Sequence, residues 1–284
     1  MADEAVGVRL FVPPGHHYSP VADPAEAAEH LARLQAGGMP AALPGIRLDL
    51  DAMRELWGEL VPHMQDMPFV ATPAAGLRYG LENPNFAWAD GTVLHGMLRH
   101  FQPRRYFEIG CGWSSACALD TFERYVQAGC EMVLIEPYPQ LVHSLLGTPG
   151  VPLTLIQKRV QEVPTSLFAM LGAGDVLFID STHVLRTGSD VCFELFEILP
   201  RLASGVLVHF HDVFWPFEYP EDWVLDENRS WNELYALRAY LTNNADWEIL
   251  FFSDYFVSQD RGLAQATCPE FLRNRGGSLW LRRT

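Results

Sequence analysis

The chain is short of positive charge: 20 Lys and Arg face 35 Asp and Glu over 284 residues, a formal net charge of −15. Phosphate backbones are bound by Lys and Arg that displace condensed counterions, so this balance argues against nucleic acid as a partner. No apolar run approaches the roughly 20 residues that cross a bilayer, which argues against a membrane. The opening stretch, MADEAVGVRLF, has neither the basic n-region nor the long apolar h-region of a secretory signal. The five cysteines, Cys111, Cys117, Cys130, Cys192 and Cys268, are odd in number, scattered and without CxxC spacing. Reduced thiols and a cytoplasmic location are the expectation. Internal repeats and low-complexity segments are missing too.

What is present suffices for a full core. At 32.0 kDa and 49% hydrophobic residues, the chain can form one large domain or a core with a small appendage. The first hundred residues offer only helical patterns. In ADPAEAAEHLARLQAGG, Asp23 is the expected N-cap, Pro24 opens the first turn and Gly37 is the expected stop. DLDAMRELWGELVPHM (Asp49 to Met64) and ADGTVLHGMLRHFQP, closed by Pro103, are two further candidates. The expectation is a helical cap or lid over 1–100 and a catalytic domain over 101–284.

From Arg104 onward strand-like runs alternate with helices. RRYFEIG, EMVLIEP, VPLTLIQ, DVLFIDS and GVLVHFHDV are apolar on both faces, as strands covered by helices on either side must be. The helix in GSDVCFELFEILPRLASG should be capped by Ser189 and stopped by Gly205. After the fifth run come an aromatic loop (Phe214, Trp215, Phe217, Tyr219, Trp223), a helix in WNELYALRAYLTNN, and two last strands in WEILFFSDYFV and GSLWLRRT. The fold class is α/β, Rossmann-like: a mainly parallel seven-stranded sheet closed by a C-terminal antiparallel hairpin.

The stretch EIGCGWSS, Glu108 to Ser115, is a strand end running through a glycine turn into a helix. Such a turn exposes backbone N–H groups and lets a ligand approach the main chain. The dinucleotide fingerprint G-x-G-x-x-G/A is imperfect here, with Ser115 at the third position. Glu108 would repel a pyrophosphate, whereas S-adenosylmethionine has no phosphate and carries an ammonium. Glu136 ends the next strand, where a carboxylate takes ribose hydroxyls.

YFEIGCGWSSA resembles the first motif of class I S-adenosylmethionine-dependent methyltransferases; Glu136 matches their second-strand acid and DVLFID their fourth-strand motif. FIDSTHVLRTGSDV and ILPRLASGVLVHFHDVFWPFEYPEDW are similar to a bacterial subgroup acting on small molecules or natural products. PPGHHYSP, with His16 and His17, looks like a segment of that subgroup that folds over the cofactor. The resemblance implies that Glu108, Gly110 and Gly112 hold the methionine half, with Ser114 and Ser115 on its carboxylate. Glu136 takes the ribose, Val160 and Gln161 read the adenine edge, and Asp180 and Ser181 lie next to the methyl group.

Transfer to a hydroxyl needs in-line alignment and removal of a proton. His183 and His211 are the candidate bases, with Asp212 to orient one of them. His209 shares a face with His211 and is the candidate core histidine, while Asp212 takes the other face by strand alternation. A second route has Asp180 and Asp212 holding a divalent cation such as Mg²⁺. It is less favoured because Val213 stands where such relatives carry a third oxygen ligand, and no metal ligand is assigned. Tyr79, Asn85 and Asp90 are weaker pocket candidates; Asn232 and Glu233 begin a helix, where capping explains them equally well. The sequence thus points to a methyltransferase acting on a small molecule, with oxygen the favoured acceptor, and leaves self-association open. A non-methylating S-adenosylmethionine enzyme of the same fold, or an NAD-dependent oxidoreductase, are the alternatives.

Overall fold

The computed structural model describes residues 10–126 and 129–284. Seven strands form one sheet: β1 (Arg105–Ile109), β2 (Glu131–Ile135), β3 (Leu153–Ile156), β4 (Val176–Ile179), β5 (Leu207–Phe210), β6 (Trp247–Phe252) and β7 (Leu279–Arg283). Their order is β3-β2-β1-β4-β5-β7-β6. The first five are parallel, and β7 runs antiparallel to both β5 and β6. All residues of β4 and β5 are buried, which is why these strands are apolar on both faces. The order reverses between β1 and β4. A crevice opens there at the C-terminal strand ends, the place where open α/β sheets receive ligands.

The helices are α1 (Pro24–Gly37), α2 (Leu50–Gln65), α3 (Trp88–Phe101), α4 (Trp113–Tyr125), α5 (Gln140–Leu146), α6 (Thr165–Phe168), α7 (Asp190–Phe193), α8 (Glu221–Leu225), α9 (Glu233–Leu241) and α10 (Ser253–Thr267). Ser189 caps α7 as expected, its hydroxyl accepting from the Cys192 amide at 3.2 Å. That helix continues through a π turn, Glu194–Ile198, and a 3₁₀ turn, Leu199–Arg201. Leu199 precedes Pro200, and a proline removes an intrahelical donor at that point. The expected terminal hairpin is not a tight one. The sixth strand stops at Phe252, and α10 starts at Ser253, so a helix lies between the two antiparallel strands.

The chain forms two compact units: the described residues to Pro40 with Tyr219–Trp231, and Ala41–Glu218 with Asn232–Thr284. In the smaller unit, Asp23 caps α1 by accepting from the amides of Ala25 (2.9 Å) and Glu26 (3.1 Å). The helix runs to Gly37, and Gly38 with φ 71° turns the chain away from it. Gln35 donates to Glu221 of α8 at 2.7 Å, and Arg229 stacks on Trp223 and Trp231. His16 and His17 stack on each other at 4.0 Å. In the larger unit, α3 packs between α2 and α4. The boundary expected at residue 100 therefore does not coincide with this division: α2 and α3 carry buried faces (Met53, Trp57, Leu60; Val93, Leu94, Leu98) and belong with the sheet.

Candidate active site

The parallel ladder lines up the site. Gly110 donates to Ile135, Glu136 to Ile156, Asp180 to Ile109 and His211 to Ile179, so the residue after each strand continues the hydrogen bonding by one step. Gly110 has φ 75°, and a Cβ there would overlap the Asp180 carbonyl. Only glycine permits this contact between the β1 turn and the end of β4.

Beside that contact lies a cavity of about 380 Å³ lined by Gly110, Glu136, Val160, Gln161, Asp180 and Ser181. These six are all sequence candidates, and the volume lies within the range of small-molecule sites. Glu136 is fixed by the backbone: Oε2 accepts from the Cys111 amide at 3.2 Å and Oε1 from the Tyr138 amide at 2.7 Å. Gln161 is held across the cavity, its Nε2 donating to the Gly188 carbonyl at 3.0 Å.

The remaining cofactor candidates do not line this cavity. Glu108 is fully buried and accepts from the Ser114 hydroxyl at 2.5 Å. Burial pushes its carboxyl up to about 8, tempered by that hydroxyl. Ser115 accepts from the Gly112 amide at 3.1 Å and so closes the turn. Glu108, Gly112, Ser114 and Ser115 thus form the layer beneath the glycine turn. Three residues that sequence reasoning passed over also line the cavity: Tyr138, 76% exposed, with Arg159 and Arg186. The signal for Tyr138 was an aromatic two residues after the strand-end acid.

At the other end of Asp180 the catalytic candidates converge. His183 Nε2 is 3.4 Å from Asp180 Oδ1 and 3.5 Å from Asp212 Oδ2, while His183 Nδ1 is 2.8 Å from Glu233 Oε2. His183 is 4% exposed. Burial opposes its charge, but the bonds to Asp180 and Glu233 outweigh this and hold its pKa well above the usual range. Burial likewise opposes ionisation of Asp180, and the adjacent His211 and His183 reverse the effect and lower its pKa. His183 (φ 60°) and Asp212 (φ 57°) both adopt left-handed backbone, a costly conformation that clusters at functional sites.

Strand alternation fails at Asp212. The fifth strand stops at Phe210 and the chain turns left-handed, which brings Asp212 Oδ1 to 3.4 Å from His211 Nε2 instead of onto the opposite face. His211 is raised in pKa, burial being outweighed by Asp212, Asp180 and Asp90, and its Nδ1 has no hydrogen-bond partner among the described residues. His209 is a core residue stacked on Phe178 at 4.0 Å, with neither nitrogen hydrogen-bonded among the described residues. Burial holds its pKa well below the usual range.

The weaker candidates have structural partners. Asp90 accepts from the Gly277 amide and the Ser278 hydroxyl, both at 2.9 Å, tying α3 to the start of β7. Tyr79 is buried and donates to the Phe86 carbonyl, and Asn85 is exposed. Phe214, Trp215 and Phe217 are buried.

Among the described residues, Asp180, His183 and Asp212 are the group whose ligand atoms could hold a metal ion, all within 4.8 Å of one another. One imidazole and two carboxylates are a donor set suited to a divalent cation. The Nδ1 contact to Glu233 matches the outer support that metal-bound histidines receive.

Residues 107–213 match a family model described as a methyltransferase domain. The match runs from β1 to just beyond β5 and covers the whole row of strand-end residues. Over that stretch the chain is similar to a methyltransferase domain. An uncharacterized protein of Archaeoglobus fulgidus is 29% identical over 173 residues, 60% of this chain and 76% of its own. Among solved structures, a Podospora anserina methyltransferase bound to S-adenosylhomocysteine aligns over 98% of this chain and 100% of its own, with 14% identity and a TM-score of 0.45. An O-methyltransferase of Streptomyces achromogenes involved in tomaymycin synthesis, in complex with S-adenosylmethionine, covers 84% of this chain and 92% of its own, with 15% identity and a TM-score of 0.43.

Proposed function

We propose that this protein methylates a hydroxyl oxygen of a small molecule, with the acceptor bound beside Asp180, His183, His211 and Asp212. The observation that carries the reading is that Asp180 belongs to both sites: it lines the cavity beside the glycine turn and also approaches His183 at 3.4 Å. One residue thus joins a nucleoside-sized cavity to a cluster able to handle a proton. In this reading Glu136 takes the ribose, Tyr138 and Gln161 flank the adenine, and Ser181 lies toward the methionine end. Bound S-adenosylmethionine supplies an electrophilic methyl group.

His183, with carboxylates at both ring nitrogens, is a poor free base. Its Nε2 with Asp180 and Asp212 is better suited to a divalent cation, which when bound lowers the pKa of a coordinated hydroxyl. His211 is then the proton acceptor, with Asp212 on Nε2 and Nδ1 available. Calorimetry with S-adenosylhomocysteine, with and without Mg²⁺, tests the reading. Binding is expected in both conditions, and methyl label from the cofactor must appear in product. Absence of S-adenosylhomocysteine binding by the wild-type protein would overturn it.

A further inference from the structure

Asn232 and Glu233 start α9, yet Asn232 makes no side-chain cap on that helix. Both reach instead to the segment that follows β4. The amides of Asn232 and Glu233 donate to the His183 carbonyl, each at 3.1 Å. Asn232 Oδ1 accepts from the Leu185 amide at 2.6 Å, and its Nδ2 donates to the Leu185 carbonyl at 3.3 Å. Glu233, 2% exposed, meets His183 Nδ1 at 2.8 Å.

The two residues before His183 are held from a different helix. Asp190 at the start of α7 accepts from the Thr182 amide (3.0 Å) and hydroxyl (2.6 Å). Glu194, fully buried at the start of the π turn, accepts from the Ser181 hydroxyl at 3.1 Å. A π turn inserts one extra residue per turn and is common at functional sites. Ser181, Thr182 and His183 are therefore each gripped by a separate acid, and His183 is gripped through both its main chain and its ring.

We infer that Glu233 is a positioning residue: it accepts the Nδ1–H of His183, fixing the ring's tautomer and plane so that Nε2 is presented to Asp180 and Asp212. The alternative, that Glu233 merely begins α9, leaves its contact with the ring unexplained, since its backbone amide already serves that junction. A buried carboxylate that accepts Nδ1–H fixes the ring plane and raises the basicity of Nε2, an outer support whose loss costs about 10–100-fold in metal affinity. The inference rests on the reading of Asp180, His183 and Asp212 as the working cluster.

The test compares wild type, Glu233→Gln and Glu233→Leu in three measurements: Mn²⁺ binding by calorimetry, S-adenosylhomocysteine binding by calorimetry, and ring-nitrogen NMR of ¹⁵N-histidine-labelled protein. The Gln variant retains an oxygen acceptor for Nδ1–H, and the Leu variant does not. The expected result is Mn²⁺ affinity near wild type for Gln and about 10–100-fold weaker for Leu, with S-adenosylhomocysteine affinity equal in all three. The His183 signal should be Nδ1-protonated in wild type and Gln, and shifted or averaged in Leu. Equal Mn²⁺ affinity in the Leu variant overturns the inference and leaves the cation reading intact. If wild type binds no Mn²⁺, the cation reading fails, and the NMR decides alone: an unchanged His183 tautomer in the Leu variant overturns the inference, and a changed one upholds it.

Discussion

Glu136 and Glu108 are both acids at the C-terminal ends of adjacent strands, but they work differently because of where their oxygens go. Glu136 receives two backbone amides and faces a cavity; Glu108 lies beneath the turn. Glu136→Ala should raise the dissociation constant for S-adenosylhomocysteine by roughly 100-fold, the equivalent of ~3 kcal/mol from one or two charged hydrogen bonds, measured by calorimetry. Glu108 should instead be visible in stability. Its folded pKa of about 8 lies above the ordinary value of 4.5, so its contribution is complete below about pH 4.5 and is lost as pH rises through about 8. Glu108→Gln mimics the protonated acid. It should therefore unfold at a higher denaturant concentration than wild type at pH 9, with the gap narrowing as pH falls and closing near pH 4.5. The sequence places both acids at strand ends correctly but cannot tell which one the turn covers, because that depends on how the glycine loop folds back onto its own strand.

At the level of elements, the β1 turn is built on contact with β4, and its two glycines differ in what they tolerate. Gly110→Ala would place a Cβ on the Asp180 carbonyl at positive φ and should cost at least ~3 kcal/mol. Gly112 is extended at φ −178°, and its nearest neighbour would be a Leu141 methyl at 3.2 Å, so Gly112→Ala should stay near wild type in urea unfolding. The sequence pattern Gly-x-Gly does not reveal this asymmetry. A second junction joins residues 78–79 to α4. Buried Asp120 accepts from the amides of Arg78 (2.7 Å) and Tyr79 (2.9 Å) and from the Arg78 guanidinium (2.7 Å). Asp120→Ala should lose about 2–4 kcal/mol, since it leaves the amides of Arg78 and Tyr79 without their acceptor while the guanidinium keeps Glu123, a loss that chemical denaturation would show. The strands themselves were legible because continuous apolar runs between helices admit few other folds. The split strand–helix in WEILFFSDYFV was not, because Phe and Tyr suit a strand and a buried helix alike. The clamp on His183 was hidden for another reason: Glu233 lies 50 residues further along the chain, and only the fold brings it to the end of β4.

For the whole molecule, a cofactor that binds only the folded state must stabilise it. S-adenosylhomocysteine at 100 times its dissociation constant should add about 2.7 kcal/mol and raise Tm accordingly, an effect a thermal-shift titration would follow. The acidic balance, by contrast, was readable from composition alone, and a labelled DNA duplex at low salt should show no change in polarisation with this protein.

The sheet order also has a consequence for synthesis on the ribosome. Strands β5 and β6 never pair with each other; both wait for β7, which slots between them. Until residues 279–283 leave the exit tunnel, the acceptor side of the sheet has two bare edges, the kind that invite pairing with another chain. A nascent chain arrested short of residue 279 should therefore be protease-sensitive around β5 and β6 while β1 to β4 resist, with resistance spreading across the whole sheet only after the final strand is released.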